Sequence, residues 1–157
     1  MNSKFARSVF FAALLGLALP CSAQLAKGSG YDPLANPNIA LERALIDAKA
    51  NNKKVLVIAG GDWCRWCLIL NSFLTQNPDV KAELDGSFVT VKVYFGQDNT
   101  NAQFFSKLPQ AKGYPHFWVI SKDGRTTHSV NTGPLENGKD SYDKNEFLHF
   151  IREVGKG

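Results

Sequence analysis

The chain has 157 residues, of which 44% are hydrophobic and 20% are charged, and its formal net charge is +4 at pH 7. This length and composition predict one globular domain with a substantial hydrophobic core. The lysines are scattered and are not interleaved with aromatic residues, so we predict no nucleic-acid partner.

The first 23 residues have the pattern of a cleaved signal peptide. Its basic opening contains Lys4 and Arg7, and an apolar run over residues 9–19 follows. We predict cleavage after Ala23 and secretion to the periplasm or another extracytoplasmic compartment. The apolar run is too short to span a bilayer comfortably, and no later segment approaches the length of a membrane helix.

Cys21 offers a second interpretation, in which this cysteine becomes the lipidated first residue of a lipoprotein. Pro20 argues against it, because such sites favour a small, unconstrained residue directly before the cysteine. Cleavage after Ala23 leaves two cysteines in the mature chain, Cys64 and Cys67. One close pair in an exported protein does not have the pattern of a scaffold built on several disulfides.

The predicted elements begin with an extended lead-in over residues 24–35. Asn36 is a plausible cap for a first helix over residues 37–51, since proline follows it and apolar residues then recur at helical spacing. The apolar run 55–59 predicts a buried strand. The next helix should stop near Pro78, because proline disfavours helical conformation in the residue before it.

The second half of the chain predicts short helices, three strands and a final amphipathic helix. In chain order they are a helical piece at 79–84, a strand at 88–94, a helix at 102–108, a hairpin of strands at 116–120 and 126–130, and a helix with the apolar stripe Phe147, Leu148, Ile151 and Val154. This order predicts an α/β fold with a central mixed four-stranded sheet, to which an edge strand can be added, flanked by helices.

The cysteine pair lies between a predicted strand and a predicted helix. Free N–H groups and the positive end of the helix dipole make a thiol at that position easier to ionise. Cys64 is therefore the predicted nucleophile, and Cys67 can close a disulfide with it or release a mixed disulfide by attacking it. The positive charge of Arg65 should also favour the thiolate and the reduced form.

Two other interpretations of the pair stay open at this point. The first is a permanent disulfide, although so short a loop gives little entropic stabilisation. The second is a copper or zinc site, which needs further ligands. Among the histidines, His116 is the candidate to join Cys64 and Cys67 in such a site.

Trp63 directly before the pair, and Pro115 at the start of a later strand, complete a more specific pattern. With them, the chain resembles the thioredoxin superfamily, and within it the exported thioredoxin-like proteins related to the C-terminal domain of the transmembrane disulfide reductase DsbD. The resemblance covers nearly the whole mature domain, which we bound at residues 36–157. It implies a thioredoxin fold, a redox-active Cys64–Cys67 disulfide and no other cofactor.

The same resemblance implies a surface for an extended protein substrate. Pro115 would be cis and face the disulfide, and Tyr114 would offer its backbone to the substrate. Trp63 would shape the surface against which the substrate docks.

Besides Arg65, two further residues, Trp66 and Lys92, are expected to tune the chemistry. Trp66 adds bulk where thioredoxin itself has proline, and Lys92 matches a lysine that accompanies a buried acid in thioredoxin. The position of that acid is Ile58 here, so Cys67 would lose its proton to water or to another carboxylate.

These observations predict an exported thiol-disulfide oxidoreductase that reduces, oxidises or isomerises protein disulfides. Its partners would be protein dithiols and disulfides, with a DsbD-like membrane protein as a candidate electron donor, and a monomer is expected. The alternatives are a non-catalytic binding module that uses the same surface, and metal handling through Cys64, Cys67 and His116.

Overall fold

The computed structural model describes residues 29–156 as five α-helices and four β-strands. In chain order they are α1 (Pro37–Ala50), β1 (Lys54–Gly60), α2 (Arg65–Gln76), α3 (Pro78–Ser87), β2 (Phe88–Tyr94), α4 (Ala102–Phe105), β3 (His116–Ile120), β4 (Thr126–Asn131) and α5 (Lys144–Gly155). The predicted signal peptide, with Cys21, and the first residues of the lead-in lie outside the described residues. Within the described part, no helix is both long and apolar enough to cross a membrane.

The four strands form one mixed sheet in the order β2-β1-β3-β4. β1 runs parallel to β2, with Lys54 opposite Phe88, and antiparallel to β3, with Ala59 opposite His116. β3 and β4 form an antiparallel hairpin whose turn places Gly124 at φ +85°, a conformation that glycine adopts without strain. The predicted fold, a mixed four-stranded sheet flanked by helices, is confirmed.

β1 is apolar throughout because helices cover both faces of the sheet. Ile58 points into one hydrophobic cluster, which also contains Phe117 of β3 and buried residues of α2, α3 and α5. Val57 points into a second cluster on the opposite face, with Trp118 and buried residues of α1 and α4. A strand covered on both sides is expected to be a continuous hydrophobic run, as it is here.

The first helix begins at a side-chain cap. Asn36 Oδ1 accepts hydrogen bonds from the N–H groups of Asn38 at 3.0 Å and Ile39 at 3.3 Å. Asp143 caps α5 in the same way. Both caps satisfy N–H groups that have no partner inside the helix.

One helix is longer than predicted. The piece expected at 79–84 is α3, which begins at Pro78 and has 10 residues. Proline fits the first position of a helix. Pro78 therefore starts α3, and it also disfavours helical conformation in Asn77, so that α2 stops at Gln76. Val80 and Leu84, one turn apart, are buried and hold α3 against the core.

Another helix is shorter than predicted. α4 ends at Phe105 rather than Leu108. The N–H of Leu108 instead donates to the carbonyl of Phe105 at 3.0 Å, which is the bond of a tighter turn. Pro109 follows, and the residue before a proline is disfavoured in a helix.

Candidate active site

β1 leads the chain to a disulfide between Cys64 and Cys67. Cys64 is the N-cap residue of α2: its Sγ accepts a hydrogen bond from the N–H of Cys67 at 3.2 Å, and its carbonyl accepts one from the N–H of Leu68 at 3.2 Å. The Cα atoms of the two cysteines are 5.2 Å apart. The pair therefore occupies the predicted position between a strand and the first turn of a helix.

The two cysteines differ in their access to solvent. Cys64 is 5% exposed and Cys67 is 1% exposed. Arg65 beside them is exposed, and the first turn of α2 has no acidic residue. The helix N-terminus and this cation together favour a thiolate at Cys64, the more exposed of the two cysteines.

Gly60 at the end of β1 lets the disulfide approach the sheet closely. A Cβ atom at this position would lie 2.4 Å from Cys67 Sγ and 2.9 Å from Tyr31 Oη. Glycine is required here, because any side chain would displace one of these two groups. The same distances show that the hydroxyl of Tyr31 is a neighbour of the Cys67 sulfur.

An aromatic surface adjoins the motif. Trp63 is 54% exposed, and its Nε1–H donates to the carbonyl of Phe95 at 2.6 Å. Its ring packs edge-on against Tyr114, with centroids 5.5 Å apart, and Tyr114 stacks on Phe95 at 4.8 Å. These contacts hold a wide apolar ring in a fixed position beside the disulfide.

The Tyr114–Pro115 peptide bond is cis, as the resemblance implies. In the sheet register His116 pairs with Ala59, so Pro115 lies level with Gly60, against which the disulfide packs. The hydroxyl of Thr132 donates to the carbonyl of Pro115 at 2.9 Å and fixes the turn. The structure thus brings Trp63, Tyr114 and Pro115 to the end of the sheet at which β1 leads into the cysteine pair.

Lys92 lies in a polar network on the face of the sheet that carries Ile58 and the disulfide. Its Nζ donates to the carbonyl of Ser29 and to Oδ1 of Asn71. Asp62 is exposed, and its carboxylate accepts hydrogen bonds from the N–H and the hydroxyl of Ser29. Burial lowers the pKa of Lys92, while the charge of Asp62 acts in the opposite direction.

Trp66 is half-buried rather than fully exposed. Its ring packs edge-on against Tyr142, with centroids 5.5 Å apart, and the hydroxyl of Tyr142 donates to the Trp66 carbonyl at 3.4 Å. One side of the indole therefore packs against the core, and only the other side is open to a partner.

His116 is not brought to the cysteines. Its ring lies against Trp118, with centroids 4.6 Å apart, whereas the disulfide belongs to the cluster on the other face of the sheet, with Phe117. Its Nε2 shares a hydrogen bond of 2.9 Å with Ser129 Oγ. The suggested two-cysteine, one-histidine metal site is not assembled, and residues 29–156 contain no group of three or more His, Cys, Asp or Glu side chains placed to hold a metal.

Three residues near the site are not indicated by the sequence. Tyr31 lies near Cys67, and Ser29 and Asn71 accept hydrogen bonds from Lys92. Tyr31 and Ser29 come from a segment predicted only as an extended lead-in. A large aromatic residue in a stretch rich in small residues is the one signal that could have indicated burial there.

A comparison with family models decides the membership of the chain. The model described as thioredoxin-like matches residues 36–122. The chain belongs to the thioredoxin-like family. Its Cys64–Cys67 disulfide places this thioredoxin-like protein in the class of thiol-disulfide oxidoreductases, as predicted.

Known relatives and structures agree with this assignment. The thioredoxin-like chain is 32% identical over 131 residues to the disulfide bond reductase DsbH of Chlamydia pneumoniae, covering 73% of this chain and 79% of that protein. A disulphide isomerase from Xylella fastidiosa Temecula1 superposes with a TM-score of 0.70 at 23% identity, over 81% of this chain and 97% of the other. The oxidised C-terminal domain of DsbD from Neisseria meningitidis gives a TM-score of 0.59 at 14% identity, over 76% and 97%. At these identities the two structures establish the shared fold.

Proposed function

We propose that this chain is an exported disulfide reductase that passes two electrons from Cys64 and Cys67 to disulfides of extracytoplasmic proteins. The observation that carries the proposal is the disulfide at the N-terminus of α2, beside the exposed ring of Trp63 and the Tyr114–Pro115 turn. The direction of electron transfer, from this chain to its substrates, is supported by the relative DsbH, which is named a disulfide bond reductase. The signal-peptide pattern of residues 1–23 supports a location outside the cytoplasm.

The reaction begins with both cysteines reduced. The Cys64 thiolate attacks one sulfur of a substrate disulfide, and the other substrate sulfur leaves as a thiolate that takes up a proton. A mixed disulfide now joins Cys64 to the substrate. Cys67 loses its proton and attacks Cys64 Sγ, which releases the second substrate thiol and leaves the Cys64–Cys67 disulfide seen in the structure.

The substrate is held by the surface that adjoins the disulfide. An extended segment would lie across the exposed ring of Trp63 and along the Tyr114–Pro115 turn, with its sulfur at Cys64. Because each turnover oxidises the pair, a dithiol donor must reduce it again. We propose a DsbD-like membrane protein for that role, on the resemblance to this family.

The reduction potential of the pair tests the proposal. The chain, purified after export, is equilibrated in defined thiol buffers, and free thiols are trapped and counted. A reductant should show a potential below about −230 mV, since thioredoxin lies near −270 mV and disulfide isomerases near −180 mV. A value above about −180 mV would reassign the protein as an oxidant or an isomerase.

Single-cysteine variants are the matched controls for this measurement. Cys67→Ser should accumulate a mixed disulfide with a substrate protein, because nothing resolves it, whereas Cys64→Ser should trap little. If the unaltered chain has no reversible couple and both variants retain its cellular function, the reductase proposal fails and the binding-module alternative gains support.

A further inference from the structure

The hydroxyl of Tyr31 is buried beside the disulfide. The side chain comes from the lead-in before α1 and is 8% exposed. Its ring belongs to the same hydrophobic cluster as both cysteines. Among the described residues, nothing donates to or accepts from its Oη. Leaving such a group unpaired costs about 1–3 kcal/mol, so its position calls for a functional explanation.

The hydroxyl lies beside the sulfur of the resolving cysteine. The point that a Cβ of Gly60 would occupy is 2.9 Å from Tyr31 Oη and 2.4 Å from Cys67 Sγ. In the oxidised protein that sulfur is part of a disulfide and is a weak acceptor. A thiolate in the same place would be a strong one, since hydrogen bonds to ionised acceptors are about twice as strong as neutral ones.

We infer that Tyr31 is a positioning residue for Cys67, whose sulfur accepts a hydrogen bond from the tyrosine hydroxyl once the disulfide is reduced. The inference rests on the proposed reductase function. It assigns a hydrogen-bond donor to Cys67. At the strand position where thioredoxin has a buried acid, this chain has Ile58, in the same hydrophobic cluster as Cys67. Among the described residues the Tyr31 hydroxyl has no partner in the oxidised state. A hydrogen bond to the reduced sulfur, which is strongest when that sulfur is a thiolate, therefore favours the reduced protein.

The surroundings of Tyr31 keep its proton in place. Burial, together with Tyr142 and the carboxylate of Asp62, raises its pKa above the usual value, so the hydroxyl acts as a donor and not as a base. Lys92 Nζ lies 5.4 Å from the ring centre, but it is already bound to Ser29 and Asn71. Proton removal from Cys67 therefore goes to solvent or the departing substrate thiolate, while Tyr31 stabilises the anion that remains.

The test compares Tyr31→Phe with the unaltered chain after export. At a fixed thiol buffer, the ratio of reduced to oxidised protein should fall about tenfold, which corresponds to a potential about 30 mV more negative. Tyr94→Phe is the matched control, because it removes a tyrosine hydroxyl from the same cluster that is already paired with Asp98 at 2.9 Å. Its potential should equal that of the unaltered chain.

A second readout separates this role from a structural one. In a Cys64→Ser background, the rate at which Cys67 is alkylated is followed against pH, with and without Tyr31→Phe. Loss of the donor should move the midpoint of the profile to higher pH, whereas looser packing would admit water to the buried sulfur and move the midpoint to lower pH. Circular dichroism of each variant checks the fold.

The two possible failures are distinguishable. If the unaltered chain has no reversible couple, the proposed function fails. If it has one, and Tyr31→Phe leaves both the potential and the alkylation midpoint unchanged, the role assigned to Tyr31 is overturned. If Tyr31→Phe does not fold, the role of Tyr31 is tested by the infrared difference spectrum between the reduced and oxidised unaltered chain. A new hydrogen bond should shift the tyrosine C–O band, and an unchanged band would contradict it.

Discussion

His116 is a buried histidine with only one of its two ring nitrogens hydrogen-bonded within the part of the chain that the structure describes. The residue is 1% exposed, Nε2 is bonded to Ser129, and Nδ1 has no partner among the described residues. Burial, with a smaller contribution from the charge of Lys112, lowers the pKa of this histidine below 6.5. The neutral ring is thus favoured in the folded protein, while the unfolded chain binds a proton at the ordinary pKa.

This difference makes the stability depend on pH. Below about pH 6.5 the unfolded state binds more protons than the folded state, so the free energy of unfolding should fall as the pH is lowered. The slope contributed by one group cannot exceed about 1.4 kcal/mol per pH unit. Urea denaturation of the unaltered chain and of His116→Gln, between about pH 7 and pH 5, measures it. Equal slopes for the two proteins would show that His116 is not the group responsible.

At the level of elements, local signals predict where most helices and strands occur. The bounds 88–94 of β2 match the prediction, because alternating valines fit a strand with one face toward α1. α4 is predicted too long, since its aromatic residues give a helical pattern that continues past Phe105. The helix ends because the chain turns before Pro109, and the spacing of apolar residues carries no information about such a turn.

The cap of α1 allows a direct test at this scale. Asn36→Ala removes the acceptor for two N–H groups at the start of the helix, and should lower the free energy of unfolding by about 1 kcal/mol. Asn38→Ala is the control, because Asn38 is an exposed helical residue whose side chain caps nothing. That change should be neutral or slightly stabilising, since alanine has the higher helix propensity. A loss of equal size in both variants would contradict the cap.

At the level of the whole molecule, the hydrophobic core includes a residue of the lead-in. The predicted boundary at residue 36 leaves Tyr31 and Ser29 outside the domain, although Tyr31 is part of the core and Ser29 bonds to Asp62 and Asn71. These contacts join positions more than thirty residues apart in the chain. No local pattern encodes such a contact, so it could not be predicted from the sequence.

Removing the lead-in should therefore destabilise the fold. A chain that begins at Asn36 loses the buried ring of Tyr31, and its free energy of unfolding should fall by about 3 kcal/mol or more, as for other buried aromatic residues. Urea denaturation of the oxidised proteins measures the loss. Leu34→Ser, at a residue 93% exposed in the same segment, should change the stability by less than about 0.5 kcal/mol. A truncated chain as stable as the full one would show that the lead-in is dispensable.

Because Tyr31 joins the lead-in to the disulfide, the two are coupled in both directions. A contact that favours the reduced pair is, by thermodynamic reciprocity, itself strengthened to the same extent when the pair is reduced. The first described residues of the chain would then be held more tightly in the reduced protein than in the oxidised one. A partner that binds the lead-in would in this way have different affinities for the two forms without contacting either sulfur.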